Sequence, residues 1–334
     1  MKTRVFDIGF ITSIRIETML NEKETTISLG NSAISIPPMG IGAWAWGDRY
    51  FWNYGRDYDE GDVRNAFDTS ITGGVNFIDS AEAYGRGRSE RIICDLINST
   101  DQPVIVATKF FPFPWRLSRS SLVRALKGSL RRLGLDQVHL YQLHMPFPPI
   151  SIETWSNALA DVVEMGLTQA VGVSNFSVDQ LRRAHRVLIK RGIFLASNQI
   201  PYSLLNRDIE ANNMFDVCDE LGITIIAYSP LAQGLLTGKY SPDNMPSGAR
   251  GRRYSREFLT SIQRLIRIMR NIGFKHDSKT PAQVALNWTI CKGTVPIPGS
   301  KNAQQAQDNI GALGWRLADD EVATLDEASD LVIT

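Results

Sequence analysis

Val104-Ile105-Val106-Ala107-Thr108-Lys109-Phe110 is a short, β-rich, nearly apolar run. After it, Ser118–Leu133 carries Leu122, Ala125, Leu126, Leu130 and Leu133 on one helical stripe. An apolar run of this length followed by a helix reads as half of a βαβ unit, with the strand buried on both faces of a parallel sheet. The same rhythm runs along the chain. Strand-like runs fall at 40–46, 76–80, 138–144, 170–174, 196–200, 224–229 and 294–298, which with 104–110 makes about eight. Helices are expected at Glu60–Thr72, stopped by Gly73-Gly74, and at Val178–Arg191, capped by Ser177. Others are expected at Ala282–Cys291 behind Thr280-Pro281, at Asn302–Leu313, and at Asp319–Ala328 outside the main body. Thr25–Leu29 and Ala33–Ile36, joined by Gly30-Asn31-Ser32, read as an N-terminal hairpin suited to closing the bottom of a barrel.

Eight βα units suit either a closed (β/α)₈ barrel or a doubly wound open sheet. The open dinucleotide-binding sheet carries G-x-G-x-x-G after its first strand. Here Gly47-Asp48-Arg49-Tyr50 follows, so the reading is α/β, a (β/α)₈ barrel with an N-terminal β-hairpin and an extra C-terminal helix. Residues 25–334 are expected to form one barrel domain, and 1–24 an N-terminal extension without order.

Composition narrows the function. The 334 residues hold 36 Lys+Arg against 35 Asp+Glu, a formal charge of +1, which gives no electrostatic reason to expect nucleic acid. No run approaches ~18 apolar residues, so no membrane span is expected. Three scattered cysteines suit a reducing compartment. The first segment lacks an uninterrupted apolar core and contains acids, so it reads poorly as a signal or transit peptide. The expectation is cytoplasmic, with plastid stroma if that segment is a transit segment, and a monomer or weak oligomer. Four dispersed histidines make a metal site improbable. Gly234–Lys239 resembles a phosphate loop only superficially: its glycine spacing is wrong and Tyr240 stands where Ser or Thr is needed. Gly251-Arg252-Arg253 reads as a solvated loop near the rim.

Barrel enzymes keep their chemistry at the C-terminal ends of strands. Asp79 ends the second run with Tyr84 in the loop beyond, Lys109 closes the third, and His144 closes the fourth. Ser174-Asn175, Gln199 and Tyr228-Ser229 close the next three. A phenol with an unperturbed pKa of ~10 is a poor acid near neutrality, and a neighbouring ammonium lowers that value. Lys109, held by Asp79, would tune Tyr84 as proton donor to a carbonyl oxygen that His144 orients. The other half of such a reduction is a hydride, which proteins take from a cofactor. Trp44 and Trp46 end the first strand and are expected to wall a pocket for an apolar or aromatic carbonyl compound, with Trp115 a further candidate.

The stretch Gly74-Val75-Asn76-Phe77-Ile78-Asp79-Ser80-Ala81-Glu82-Ala83-Tyr84-Gly85 resembles the first signature of the aldo-keto reductase family. Leu143-His144, Val171-Gly172-Val173-Ser174-Asn175-Phe176 and Ile297-Pro298-Gly299-Ser300-Lys301 resemble its later ones. The resemblance runs from about Ser28 to Ala328. It implies a (β/α)₈ barrel, an NADPH-dependent reduction of an aldehyde or ketone, and Asp79, Tyr84, Lys109 and His144 as a catalytic tetrad. It further implies Ser174, Asn175 and Gln199 on the nicotinamide carboxamide and Tyr228 stacked on the nicotinamide ring. Ser229, Leu231 and Leu236 would line the pyrophosphate, Gly299, Ser300 and Lys301 would meet the adenosine phosphate, and Asp308 and Asn309 would hold the adenine. Many NADPH-preferring members have Arg where this chain has Gln305, which leaves Lys301 to neutralise the 2′-phosphate. The segment Gly42-Ala43-Trp44-Ala45-Trp46-Gly47-Asp48 is similar to the plant and cyanobacterial, pyridoxal reductase-like branch. Two other readings stand beside this one: a cofactor-binding regulatory module without significant turnover, and a barrel lyase or isomerase using Lys109 as a Schiff base.

Overall fold

The computed structural model describes residues 26–246, 251 and 253–333; the expected extension at 1–24, and Arg252, lie outside them. A hairpin, β1 (Ile27–Ser28) and β2 (Ser35–Ile36), pairs antiparallel with Ile27 opposite Ile36. Eight parallel strands follow in sequential order: β3 (Ile41–Gly42), β4 (Phe77–Asp79), β5 (Ile105–Phe110), β6 (Val138–Leu143), β7 (Thr168–Ser174), β8 (Leu195–Pro201), β9 (Thr224–Tyr228) and β10 (Val295–Pro296). The first and last meet. Gly40 N–H donates to the Pro296 carbonyl at 2.9 Å and Gly42 N–H to the Pro298 carbonyl at 3.0 Å, so the sheet closes on itself as expected. Glycine at this seam has a steric reason: a Cβ on Gly42 would meet the Ile297 carbonyl oxygen at 2.7 Å.

Around the barrel lie α1 (Glu60–Thr72), α2 (Arg88–Ile97), α3 (Arg119–Leu133), α4 (Ile152–Glu164), α5 (Val178–Ile189), α6 (Met214–Leu221), α7 (Arg256–Lys275) and α8 (Pro281–Cys291). Asp59, Ser177 and Thr280 close capping boxes on α1, α5 and α8, so the helix starts read from sequence have a hydrogen-bonded cause. A short α9 (Ala303–Ile310) packs on α1. A final α10 (Asp319–Ile333) runs five residues past its expected end, packs on α7 and buries Leu325, Ala328 and Ser329. Helix α2 lacked a start signal because its N-cap is Gly87, at φ 79°, with no side-chain cap. The eight residues of α6 make barely two turns, too few to show a period.

The barrel interior is built in layers. Phe77, Ala107, Leu140, Ala170, Ala196, Ile226 and Val295 form an apolar layer that Leu29, Ile34 and Ile36 of the hairpin region plug from below. Small residues on β5, β7 and β8 leave room for the large ones on β4, β6 and β9, as interdigitation requires. Side chains two apart on a strand share a face. The next inward layer toward the C-terminal ends is therefore Asp79 above Phe77, Lys109 above Ala107, Gln142 above Leu140 and Tyr228 above Ile226. A register shift between β7 and β8 beside Val171 and Gly172 brings Gln199 level with Ser174. A polar layer thus sits on an apolar plug.

Candidate active site

At the centre of that layer, Lys109 is fully buried. Its Nζ donates to Asp79 Oδ2, to the Ser80 carbonyl at 2.9 Å and to the Tyr84 hydroxyl at 3.4 Å. A buried ammonium is tolerable because its partners are arranged around it. Burial works against its charge, but the Asp79 carboxylate and the Tyr84 oxygen outweigh burial and its pKa is raised. Asp79, 1% exposed, is satisfied on the other side too: Oδ1 accepts from Gln142 Nε2 at 2.9 Å and Gln199 Nε2 at 2.8 Å. Gln142 was not singled out in the sequence. Its signal was its period-two position below His144, and Gly172 across from it leaves the space it fills.

Tyr84 enters from the loop after β4 on a 3₁₀ turn, with Trp44 at 6.3 Å and the His144 ring edge-on at 5.7 Å. Burial raises its pKa above 10.0, Lys109 pulls it down, and Asp79 pushes it up again. The simple expectation of a lowered phenol is therefore corrected. Desolvation wins, and Lys109 limits the rise. His144 is pushed down to about 3, first by burial and then by the Lys109 charge, so its ring is a neutral imidazole. Because the unfolded ring protonates near 6.5, its contribution to stability is full above that pH and lost as pH falls toward 3. The measurable consequence is kcat without an acid limb near pH 6.5. An acid limb there that vanishes in His144→Asn would contradict a neutral His144.

Asp79, Tyr84 and His144 lie on the wall of a cavity of about 760 Å³ at the C-terminal ends of the strands, while Lys109 is buried beneath them. Next along the wall, Asn175 adopts φ 61°, and its side chain ties the ends of β6, β7 and β9 together. Its Nδ2 donates to the His144 carbonyl at 3.1 Å and to Ser174 Oγ at 3.0 Å, and its Oδ1 accepts from the Tyr228 hydroxyl at 2.9 Å. Gln199 also lines the cavity, with its Nε2 on the Asp79 carboxylate, which only a donor can satisfy. The loop after β9 then turns sharply, with Ser229 (φ 53°), Ala232 (φ 47°), Gln233 (φ 56°) and Gly234 (φ 97°) all left-handed. Such a run of sparsely populated conformations marks a loop held for a purpose. It brings Ser229, Leu231 and Gly234 to the wall, and Lys239 with them. The segment dismissed as a failed phosphate loop thus contributes a cation to the cavity. Gly299, Lys301, Gln305, Asp308 and Asn309 line the far end.

Four expectations meet a different geometry. Trp46 is fully buried, its Nε1 donating to the Ser300 carbonyl at 2.8 Å, and is not on the wall. The first strand gives way after Gly42 to a 3₁₀ turn at Ala43–Ala45, so residues two apart no longer share a face and Trp44 alone of the pair reaches the cavity. Trp115 is 74% exposed and stacked on Phe113 at 4.8 Å; Phe111 is the aromatic of that loop on the wall. Leu236 is buried in the hydrophobic core, because its 3₁₀ turn aims it inward. Ser300 is buried and does not line the cavity. Trp52, unmarked in the sequence, is a wall residue packed edge-on to Trp44 at 5.5 Å. Arg253 lies over the Phe51 ring at 5.5 Å, beside the rim. Among the described residues no group of three or more His, Cys, Asp and Glu could hold a metal ion, and no helix is long and apolar enough to cross a membrane.

The groove fits a nicotinamide dinucleotide: amide and hydroxyl groups and an aromatic face beside the Asp79–Lys109–Tyr84 cluster, a coiled loop in the middle, and lysines toward the far end. Barrel, buried Asp–Lys pair and tyrosine define a carbonyl oxidoreductase of the barrel class. Comparison agrees. The model of the Aldo/keto reductase family matches residues 38–330. The chain is 41% identical over 309 residues to pyridoxal reductase, chloroplastic, of Arabidopsis thaliana, covering 89% of this chain and 84% of that one. It is 33% identical over 275 residues to the NADP(+) aldo-keto reductase yakc of Schizosaccharomyces pombe, covering 77% and 79%. The crystal structure of an aldo/keto reductase from Klebsiella pneumoniae in complex with NADP and acetate superposes with a TM-score of 0.72 at 25% identity, covering 91% and 94%. The chain belongs to the aldo/keto reductase family: it is an NAD(P)H-dependent oxidoreductase acting on carbonyl groups, with NADPH as the cofactor.

Proposed function

We propose that the protein reduces an aldehyde, with an aromatic aldehyde of the pyridoxal type as first candidate, using Tyr84 as general acid. The observation that carries this is the buried Lys109 ammonium, bonded at once to Asp79 and to the Tyr84 hydroxyl. When bound, NADPH supplies a hydride to the carbonyl carbon. The carbonyl oxygen, becoming an alkoxide, takes the Tyr84 proton, since an alkoxide is a far stronger base than a phenolate even when burial raises the phenol. The phenolate left behind lies against Lys109, whose charge Asp79, Gln142 and Gln199 hold in line. Neutral His144 orients the carbonyl oxygen by a hydrogen bond without competing for the proton. Ser174, Asn175, Gln199 and Tyr228 would seat the nicotinamide, the 229–239 loop the pyrophosphate, Lys301 the 2′-phosphate, and Asp308 and Asn309 the adenine.

The substrate reading rests on Trp44, Trp52 and Phe111 around Tyr84, and on the name of the Arabidopsis relative. Residues 25–334 are taken as one catalytic unit, and the compartment as reducing, the cytoplasm or the plastid stroma, because three scattered cysteines make no disulfide framework. NADPH oxidation followed by absorbance, with pyridoxal, an aromatic aldehyde and a short aliphatic aldehyde in parallel, tests the proposal. Faster turnover of the aromatic compounds supports it, and no turnover of any despite tight NADPH binding rejects it. Lys301→Ala weakens NADPH far more than NADH, because one charge-assisted phosphate contact is worth about 1.5–3 kcal/mol, roughly ten-fold or more in Kd. Equal weakening of both cofactors removes Lys301 from the 2′-phosphate.

A further inference from the structure

Lys301 faces two parts of the site. Its ammonium lies over the Trp52 ring, 4.9 Å from the centre, and over the Tyr58 ring at 4.6 Å, and it donates to the Trp52 carbonyl at 3.2 Å. Trp52 belongs to the segment 48–58, anchored at both ends. Asp48 Oδ1 accepts from the backbone N–H groups of Tyr50, Phe51 and Trp52, at 3.1, 2.7 and 3.2 Å. The Tyr58 hydroxyl donates to the Ala45 carbonyl at 2.5 Å. Between the anchors the segment brings Trp52 to the cavity wall, with Phe51 packed against it. Phe51 stacks on Trp44 at 5.0 Å, Trp52 stands edge-on to both, and Trp44 lies 6.3 Å from Tyr84. Contacts therefore run without a gap from Lys301 through Trp52 and Trp44 to the proton donor.

We propose that Lys301 is a positioning residue for the carbonyl subsite as well as the partner of the cofactor 2′-phosphate, so that the phosphate firms the Trp52 wall and tightens substrate binding. This rests on the reading of Lys301 as the 2′-phosphate partner. The physics is ordering. A lysine side chain has four rotatable bonds and much rotamer freedom to lose. A phosphate that fixes the ammonium removes that freedom before the wall has to, and the cation is then held over Trp52 and Tyr58. An ammonium has three N–H donors, so a carbonyl and a phosphate are compatible partners. Coupling of this kind is reciprocal, so the substrate must also favour the phosphorylated cofactor. The cofactor phosphate becomes a determinant of substrate affinity, although it lies at the far end of the groove from the reacting carbonyl.

The test is hydrogen exchange on the full chain, read over residues 48–58, with 2′,5′-ADP compared against 5′-AMP, in wild type and in Lys301→Met. The expected result is extra protection with 2′,5′-ADP in wild type that disappears in Lys301→Met. With it goes a carbonyl KM about five-fold lower with NADPH than with NADH at similar kcat. Trp52→Leu removes that KM difference and keeps the affinity for 2′,5′-ADP, a split that a general loss of structure does not produce. If Lys301→Met weakens 2′,5′-ADP but exchange over 48–58 is the same with both nucleotides, the shared role is overturned and the 2′-phosphate assignment stands. If Lys301→Met binds 2′,5′-ADP as tightly as wild type, the assignment falls and the shared role falls with it.

Discussion

Tyr84→Phe lowers kcat for carbonyl reduction by about 10²–10⁴-fold, the usual worth of a positioned general acid, while NADPH affinity stays essentially unchanged. The substitution removes one oxygen atom. That oxygen contacts Lys109 Nζ at 3.4 Å, and the ring keeps its neighbours Trp44 and His144. Lys109 retains Asp79 and the Ser80 carbonyl, so no buried charge is stranded and the fold is preserved. Steady-state rates together with fluorescence titration of NADPH separate the two effects. A fully active Tyr84→Phe protein rejects Tyr84 as the acid. Loss of NADPH binding in parallel with turnover would make the ring a structural element instead. In the free wild-type protein, ultraviolet difference titration finds the Tyr84 phenol ionising above its ordinary value of 10, because burial outweighs the pull of Lys109.

Lys109→Met removes both turnover and stability, and the two losses come apart. The single variant leaves the Asp79 carboxylate, 1% exposed, without its counter-ion, and breaking a buried pair this way costs about 3–5 kcal/mol. Gln142 and Gln199 still donate to Asp79 Oδ1, which holds the loss toward the lower end of that range. Adding Asp79→Asn neutralises the stranded charge, so the double variant regains most of the stability and none of the activity. Denaturant unfolding of wild type, both single variants and the double variant closes the cycle. Additive losses would show that Lys109 and Asp79 act independently, against the geometry. Turnover by the stable double variant would show that no ammonium is needed to hold the phenolate.

Much of this protein was legible along the chain because its determinants are local. Strands such as Val138–Leu143 and helices such as α1, α5 and α8 are set by apolar periodicity and by caps whose partners lie three residues away. The tetrad residues stood out because a barrel converts strand ends into one rim, so residues distant in sequence share an address known in advance. What only the tertiary structure decided depends on parity and on distance across the barrel. Trp44 and Trp46 part company because two residues of strand give way to a 3₁₀ turn. Gln142 joins Asp79 across 63 positions, and Trp52 meets Lys301 across 249. Nor could a list of residue types yield the direction of the Tyr84 shift. It is a balance between desolvation, which grows with everything packed around the ring, and one ammonium placed by β5. Local sequence determines which groups arrive at the rim; the packed barrel sets their spacing, their dryness and therefore their chemistry.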